Sequence, residues 1–284
     1  MVAAAMDVVR KKPREFEYTW DDFNVLRELS SAHSGIIVSD DKFDMFYTRL
    51  ARRIRELKLR DFKSYCQYLD AHRDQEFTEF INAITTNLTA FFRENHHFEY
   101  LQATVLPELL RRNAATRRLR VWSAGCSTGE EAYSIAMTLQ ENLPAGWDAR
   151  ILATDLDTNV LAAAASGIYA AERIDGLPPA RVKRWFLRGT GAHRNQVRVK
   201  PALQQMISFK QLNLMGDWPM SGLFDFIFCR NVLIYFDRET KQRLVGRYAG
   251  LLREGGCLFI GHSESLHQLA TRFELIGHTI YRLK

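Results

Sequence analysis

Leu119-Arg-Val-Trp-Ser-Ala-Gly125-Cys-Ser-Thr-Gly129-Glu-Glu131 is the stretch on which the fold class turns. An apolar strand over Leu119–Ala124 runs into a loop of small residues, and a helix begins at Glu130. Strand, tight loop and helix in that order form the opening unit of a ligand-binding α/β sheet. The same texture continues downstream. Arg150–Thr154 predicts a second strand ending at Asp155, with an Ala-rich helix behind it. Ile207–Leu212 and Phe224–Cys229 predict two more strands, followed by a helix over Arg238–Leu252 and a strand over Cys257–Gly261. Near-continuous apolar strands alternating with helices predict a parallel sheet covered on both faces. Between about 186 and 205 the alternation breaks. Gly189-Thr-Gly191 and Val197-Arg-Val-Lys200 there predict a small inserted β-hairpin.

Upstream of residue 118 no strand pattern occurs. Thr19-Trp-Asp-Asp22 is an N-capping pattern for a helix that ends near Gly35. A second helix follows Asp40 or Asp41, with Phe43, Phe46, Tyr47, Leu50, Ile54 and Leu57 on one apolar face. A third runs through Phe62, Tyr65 and Leu69, and a fourth through Phe77, Phe80, Ile81 and Ile84. The expected organisation is therefore a charged tail over 1–17, a helical domain over 18–84, and an α/β domain over 85–284 with its insertion at about 186–205.

The 284 residues are 46% hydrophobic and 25% charged, which excludes collagen-like and disordered chains. Lysine and arginine outnumber the acids 39 to 33, a net charge of +6, so an acidic partner is expected without its class being fixed. Cys66, Cys126, Cys229 and Cys257 show no C-x-x-C spacing, and no histidine pair has a neighbouring acid at metal-ligand spacing; free thiols and no metal are expected. The opening MVAAAMDVVRKK lacks the charge order of a secretory signal, and no run approaches the roughly 18 apolar residues of a membrane span. The expectation is a cytoplasmic chain without direct membrane insertion.

The glycine loop is neither G-x-G-x-x-G nor a P-loop, since its glycines are four apart and no Lys-Ser/Thr follows. Glu130 and Glu131 would repel a pyrophosphate; they suit a ligand with an ammonium or sulfonium. An acidic first turn that merely satisfies the helix dipole fits the same residues. Asp155, just past the second strand, is placed to accept both hydroxyls of a ribose. A free ribose, no phosphate site and an acidic loop favour an unphosphorylated nucleoside such as S-adenosylmethionine. Asp157 reads as a surface or helix-capping residue. The strand Asp225–Cys229 delivers Arg230, Asn231 and Tyr235 to the carboxyl edge of the sheet, where ligands of this architecture bind. In Thr85–Glu94, polar Asn87, Thr89 and Arg93 interleave with Leu88, Phe91 and Phe92. Packing and closure of a cleft fit that segment equally.

These segments resemble, in order, the motifs of the chemotaxis receptor methyltransferases, the CheR-type protein-glutamate O-methyltransferases. The matching stretches are Thr86-Asn-Leu-Thr-Ala-Phe-Phe-Arg93, Trp122-Ser-Ala-Gly-Cys-Ser-Thr-Gly-Glu-Glu131, Ala153-Thr-Asp-Leu-Asp157, Phe228-Cys-Arg-Asn-Val-Leu-Ile-Tyr-Phe236 and Gly261-His-Ser-Glu264. The resemblance spans about residues 18–284. It implies an all-α N-terminal domain, a class I, Rossmann-like S-adenosylmethionine-dependent domain and a small inserted β-subdomain. It further implies methyl transfer to glutamate carboxylates of receptors, leaving S-adenosylhomocysteine. Carried over, Asn87, Thr89 and Arg93 line the cofactor site, Glu130 holds the methionine amino group and Asp155 the ribose. Glu131 stays open as the alternative to Glu130. Asn213 and Leu214 flank the adenine, Asn231 and Val232 lie beneath the reacting methyl, and Arg93 and Tyr235 are the catalytic pair. A carboxylate nucleophile, with its reference pKa near 4.3, is already ionised at neutral pH and needs no general base.

The implied partners are methyl-accepting receptors. Their acidic methylation helices would meet the basic helix Arg49–Lys63, which holds seven basic residues and two acids and sets Arg49, Arg52, Arg53 and Glu56 along one flank. In the resembling family the β-subdomain can also dock an aromatic–acidic peptide at the end of certain receptors, and the hairpin's Arg198 or Lys200 would meet the acids of an added strand. The basic helical domain leaves an RNA methyltransferase as an alternative, beside a non-catalytic cofactor-sensing or interaction module. Against the RNA alternative, no RNA-reading module or exposed aromatic platform is evident, so no nucleic acid is expected.

Overall fold

The computed structural model describes residues 14–267, 269 and 272–284. Most of the expected charged tail, residues 1–13, lies outside the described residues. Two compact units emerge. One comprises residues 14–29 together with Ser39–Ile84. The other comprises Ser30–Val38 and Thr85–Lys284.

The first unit is built from α1 (Trp20–Ser34, which runs on into the second unit), a short 3-10 turn (Asp40–Lys42), α2 (Phe43–Glu56), α3 (Phe62–Ala71) and α4 (Arg73–Ile84). The capping pattern at the start of α1 is real. The Thr19 N–H donates to Asp22 Oδ2 at 2.9 Å and the Asp22 N–H to Thr19 Oγ1 at 3.2 Å. Phe46, Leu50 and Ile54 of α2 are buried together with Phe23, Phe62, Tyr65 and Phe80. Asp61 caps α3 by accepting the Ser64 N–H at 2.7 Å. The basic stretch Arg49–Lys63 is not one helix: α2 ends at Glu56, Lys58 is left-handed at φ +55°, and α3 begins at Phe62. Nor are all its charges outward. Arg53 makes a bidentate pair with buried Glu76 at 2.8 and 2.6 Å, and Tyr65 donates to the same carboxylate.

The second unit carries α5 (His96–Tyr100), a π-turn (Leu101–Val105), α6 (Leu106–Arg112), β1 (Arg118–Ala124), α7 (Glu130–Asn142), β2 (Asp148–Asp155), α8 (Thr158–Ser166) and β3 (Ile168–Ala170). It continues with α9 (Pro179–Trp185), β4 (Phe186–Arg188), β5 (Gln196–Val199), α10 (Pro201–Gln204), β6 (Ile207–Gln211), β7 (Phe224–Cys229), α11 (Arg238–Leu251), β8 (Leu252–Ile260), β9 (Phe273–Gly277) and β10 (Ile280–Leu283). The main sheet has the order β6-β2-β1-β7-β8-β10-β9. Its first five strands are mutually parallel; β10 is antiparallel to both of its neighbours. Alternate residues of β1 and β7 go to opposite cores. Val121, Phe226 and Phe228 pack on one face with α5, α6 and α7, and Trp122, Ile227 and Cys229 on the other with α11. That double burial is why these strands read as continuous apolar runs. The closing β9–β10 pair and the α5–α6 helices went unanticipated.

The insertion is larger than a hairpin over 186–205. It is a three-stranded antiparallel sheet, β3-β5-β4, whose first strand begins at Ile168. Consequently β5, with Arg198, is the central strand. The free edges belong to β3 and β4.

Candidate active site

β1 lies between β2 and β7, where the chain order reverses across the sheet, and the carboxyl ends of these three strands converge. Ligands of open α/β sheets bind at such a switch point. The glycine loop leaves β1 here. The Gly125 and Cys126 N–H groups both donate to the Thr154 carbonyl, at 2.8 and 2.9 Å, folding the loop over the end of β2. Gly125 has φ +83°, and a Cβ on it would stand 2.4 Å from Val232 Cγ2. The glycine therefore serves the close approach of the Val232 turn.

Asp155 sits at the tip of β2. Its Oδ2 accepts the Ser127 N–H at 2.8 Å and its Oδ1 the Asp157 N–H at 3.1 Å. Burial raises the carboxyl against these hydrogen bonds, which lower it. Asp157 caps α8 as expected, through the Asn159 and Val160 N–H groups, but it is buried and far from a surface role. Its Oδ2 accepts Thr85 Oγ1–H and Asn87 Nδ2–H, both at 2.8 Å. Ser127 Oγ–H donates to the Asn87 carbonyl at 2.9 Å. The 85–93 segment is thus tied to the glycine loop and the tip of β2.

The two acids opening α7 separate clearly. Glu131 turns into the core, accepting Ser123 Oγ–H at 2.7 Å and facing Arg230 Nη1 at 3.2 Å. Glu130 takes the Thr128 hydroxyl on Oε2 at 2.6 Å and the Arg173 guanidinium on Oε1.

Arg230, expected at the sheet edge beside Asn231 and Tyr235, is drawn inward and nearly fully buried. It lies between Glu131 and Glu94, 3.3 Å from Glu94 Oε2, and donates to the Arg93 carbonyl. Burial pushes the Glu94 carboxyl up, but the His262 hydrogen bond, the Arg230 charge and Asn231 outweigh it and hold it at about 2. Asn231 is left-handed at φ +57°; its N–H donates to Glu264 Oε2 at 3.0 Å and its Nδ2 to Glu94 Oε1 at 3.3 Å. Glu264 also accepts the Ile234 N–H at 3.1 Å and the Gly261 N–H at 2.5 Å. One buried carboxylate thereby folds the Asn231–Tyr235 turn around itself. Phe92, Glu94, Ser127 and Asn231 are four of the seven non-glycine residues with left-handed backbone among the described residues. Such conformations cost about 1–3 kcal/mol each and gather at functional sites.

The remaining expected residues make the following contacts. Arg93 folds its guanidinium back onto the Leu88 carbonyl at 2.7 Å. Tyr235 Oη stands 3.5 Å from the Thr86 carbonyl, and the Thr89 carbonyl accepts from Arg173. Asn213 Nδ2 donates to the His33 carbonyl, its Oδ1 accepts the Met215 N–H, and Leu214 packs beside the Trp122 core. Sequence reasoning missed Glu94, Arg173 and Glu264 as site residues. The available signal was an arginine directly after an all-apolar strand, which once buried must find acids.

Asp155 presents carboxylate acceptors beside the loop, which suits the hydroxyls of an uncapped ribose and is a poor setting for a phosphate, while Glu130, Glu131 and Asp157 are engaged by Arg173, by Arg230 and by Thr85 and Asn87. The comparisons with known proteins agree. Residues 87–282 match the family model described as CheR methyltransferase, SAM binding domain, and residues 21–85 match CheR methyltransferase, all-alpha domain. The chain belongs to the CheR methyltransferase family. Chemotaxis protein methyltransferase 2 of Pseudomonas aeruginosa is 45% identical over 272 residues, 94% of this chain and 95% of its own length. The chemotaxis protein methyltransferase of Escherichia coli is 46% identical over 266 residues, 92% of this chain and 90% of its own. This CheR-family chain is a chemotaxis methyltransferase with a class I fold, and its cofactor is S-adenosylmethionine. Among the described residues no helix is long and apolar enough to cross a membrane.

Proposed function

We propose that this methyltransferase esterifies glutamate side chains of methyl-accepting chemotaxis receptors. The observation that carries the reading is a switch point with Asp155 and Glu130 at its glycine loop and with Arg93 and Tyr235 on the two segments that border it, the first tied to that loop and the second leaving β7. When bound, S-adenosylmethionine supplies an electrophilic methyl on a sulfonium. Asp155 accepts the ribose hydroxyls and Glu130 the methionine ammonium. Asn87, Thr89, Asn213, Leu214, Asn231 and Val232 complete the wall. Arg93, released from the Leu88 carbonyl, orients the incoming carboxylate bidentately. Tyr235 steadies the same oxygen or the methyl. Holding an already ionised nucleophile in line supplies on the order of 7–11 kcal/mol, so positioning is the enzyme's main task.

The outward cations of Arg49–Lys63, led by Arg52 at 81% exposure, are the surface offered to acidic methylation helices. Arg53, committed to Glu76, is not among them. On the inserted sheet, Arg198 stands opposite Ile168 and Leu187, both about half exposed, so a cation lies in an apolar row. A receptor C-terminal peptide carrying an aromatic and an acid would add to a free edge, β3 or β4, and reach that row. The peptide-docked enzyme works beside membrane receptor arrays from the cytoplasm. Labelled cofactor offered to a receptor cytoplasmic fragment and to total RNA tests the reading. Label is expected in the receptor fragment; label confined to RNA would replace it with the nucleic-acid alternative.

A further inference from the structure

Glu130 has no exposed surface, and Arg173 is what covers it. Arg173 lies in the 3-10 turn Ala171–Ile174, directly after β3 of the inserted sheet. Its Nε donates to Glu130 Oε1 at 3.1 Å, and its Nη2 engages the same oxygen and the Thr89 carbonyl, the latter at 2.8 Å. Neither contact uses Nη1. The Glu130 carboxylate is 0% exposed while the Arg173 side chain is 39% exposed, so the lid faces outward and its partner cannot be reached past it.

This arrangement sets a condition on the cofactor reading. An ammonium can reach Glu130 only where the guanidinium stands now. A guanidinium displaced into solvent would lose a charge-assisted pair with nothing in return. The methionine tail of the cofactor removes that difficulty, because it carries a carboxylate on the same carbon as its ammonium. If the ammonium takes Oε1 and the guanidinium turns to the carboxylate, one ion pair becomes two and charge stays balanced. The Thr89 carbonyl gives Arg173 a fixed point about which to make that small turn.

We propose that Arg173 is the residue that recognises the α-carboxylate of the cofactor's methionine tail, and that Glu130 holds it in position until the tail binds. The proposal rests on the reading of Glu130 as the ammonium ligand. It makes the inserted subdomain a contributor to cofactor binding as well as a docking element.

Three ligands separate the possibilities by calorimetry: S-adenosylhomocysteine, its decarboxylated analogue that keeps the amine, and 5′-methylthioadenosine, which lacks both charges. The natural enzyme is expected to prefer S-adenosylhomocysteine over the amine analogue by about tenfold or more. Arg173→Ala should erase that preference while 5′-methylthioadenosine binds as before, which also shows that the variant is folded. Arg173→Gln, which keeps a donor for Thr89, should lose the preference equally, and Arg173→Lys should restore part of it. A preference that survives in both Arg173→Ala and Arg173→Gln would overturn the proposal and leave Arg173 a cover for Glu130. If the natural enzyme bound S-adenosylhomocysteine and the amine analogue equally, and both more tightly than 5′-methylthioadenosine, the proposal would fall while Glu130 kept its ammonium; equal binding of all three would overturn both.

Discussion

At the scale of single residues, Asp155 and the Arg93–Tyr235 pair divide binding from chemistry. Asp155 already accepts two backbone N–H groups, so its carboxylate is held rigidly before any ligand arrives. A charge-assisted hydrogen bond is worth about 1.5–3 kcal/mol. Asp155→Ala should therefore weaken S-adenosylhomocysteine by at least tenfold in a calorimetric titration; unaltered affinity would remove Asp155 from the site. Arg93→Ala and Tyr235→Phe should instead lower kcat on receptor membranes much more than they change cofactor affinity, because neither is needed until the carboxylate arrives. Wild-type turnover in both variants would discard the pair. These residues were legible because their types match the chemistry. Arg173 was not: nothing in Ala171-Glu-Arg-Ile174 shows that the turn comes back to the glycine loop.

At the scale of elements, the turn from Asn231 to Tyr235 depends on Glu264. A carboxylate accepting three backbone N–H groups cannot be replaced by an amide without turning a donor toward donors. Glu264→Gln should keep the fold, lower the melting temperature by several degrees and reduce kcat severalfold, with Asn231 and Tyr235 displaced. Normal melting and turnover would show that the turn holds itself. The strands β1 and β7 and the helices α1 to α4 could be read in advance, since period and capping are local signals. The β9–β10 pair could not, because Phe273–Gly277 and Ile280–Leu283 are short and become strands only by pairing, Ile280–Leu283 with β8 and Phe273–Gly277 with Ile280–Leu283. The inserted sheet was under-read for the same reason: β3 is three residues long and is defined by β5, far along the chain. The basic stretch was over-read as one face because sequence spacing does not reveal that Arg53 has buried Glu76 as its partner.

At the scale of the whole molecule, the buried polar network beneath the site sets the acid limit of stability. His97 is fully buried. Burial chiefly, with the Arg230 and His96 charges, lowers its imidazole to about 3. Below the unfolded value near 6.5 the unfolded chain binds a proton that the folded chain refuses, so stability falls as pH drops from 6.5 toward 3. The slope from this group approaches about 1.4 kcal/mol per pH unit. Glu94 adds to it later, as its pairing is lost between the unfolded value near 4.3 and about 2. In denaturant titrations, His97→Gln should flatten the loss between pH 6 and 4 and leave the steeper loss below it. An unchanged profile would mean that His97 does not titrate on unfolding. Through Arg230 and Glu94, the same network joins the 85–94 segment, α7 and the Asn231 turn, so the site's rigidity and its acid sensitivity have one origin.

The most direct test of the central claim is the chemistry of the product bond. Receptor cytoplasmic fragment methylated with labelled S-adenosylmethionine should release volatile labelled methanol in mild alkali, as a carboxyl ester does. Replacing the receptor's acceptor glutamates with alanine should abolish that release. Label that stays on the protein through alkali would contradict methyl ester formation on glutamate.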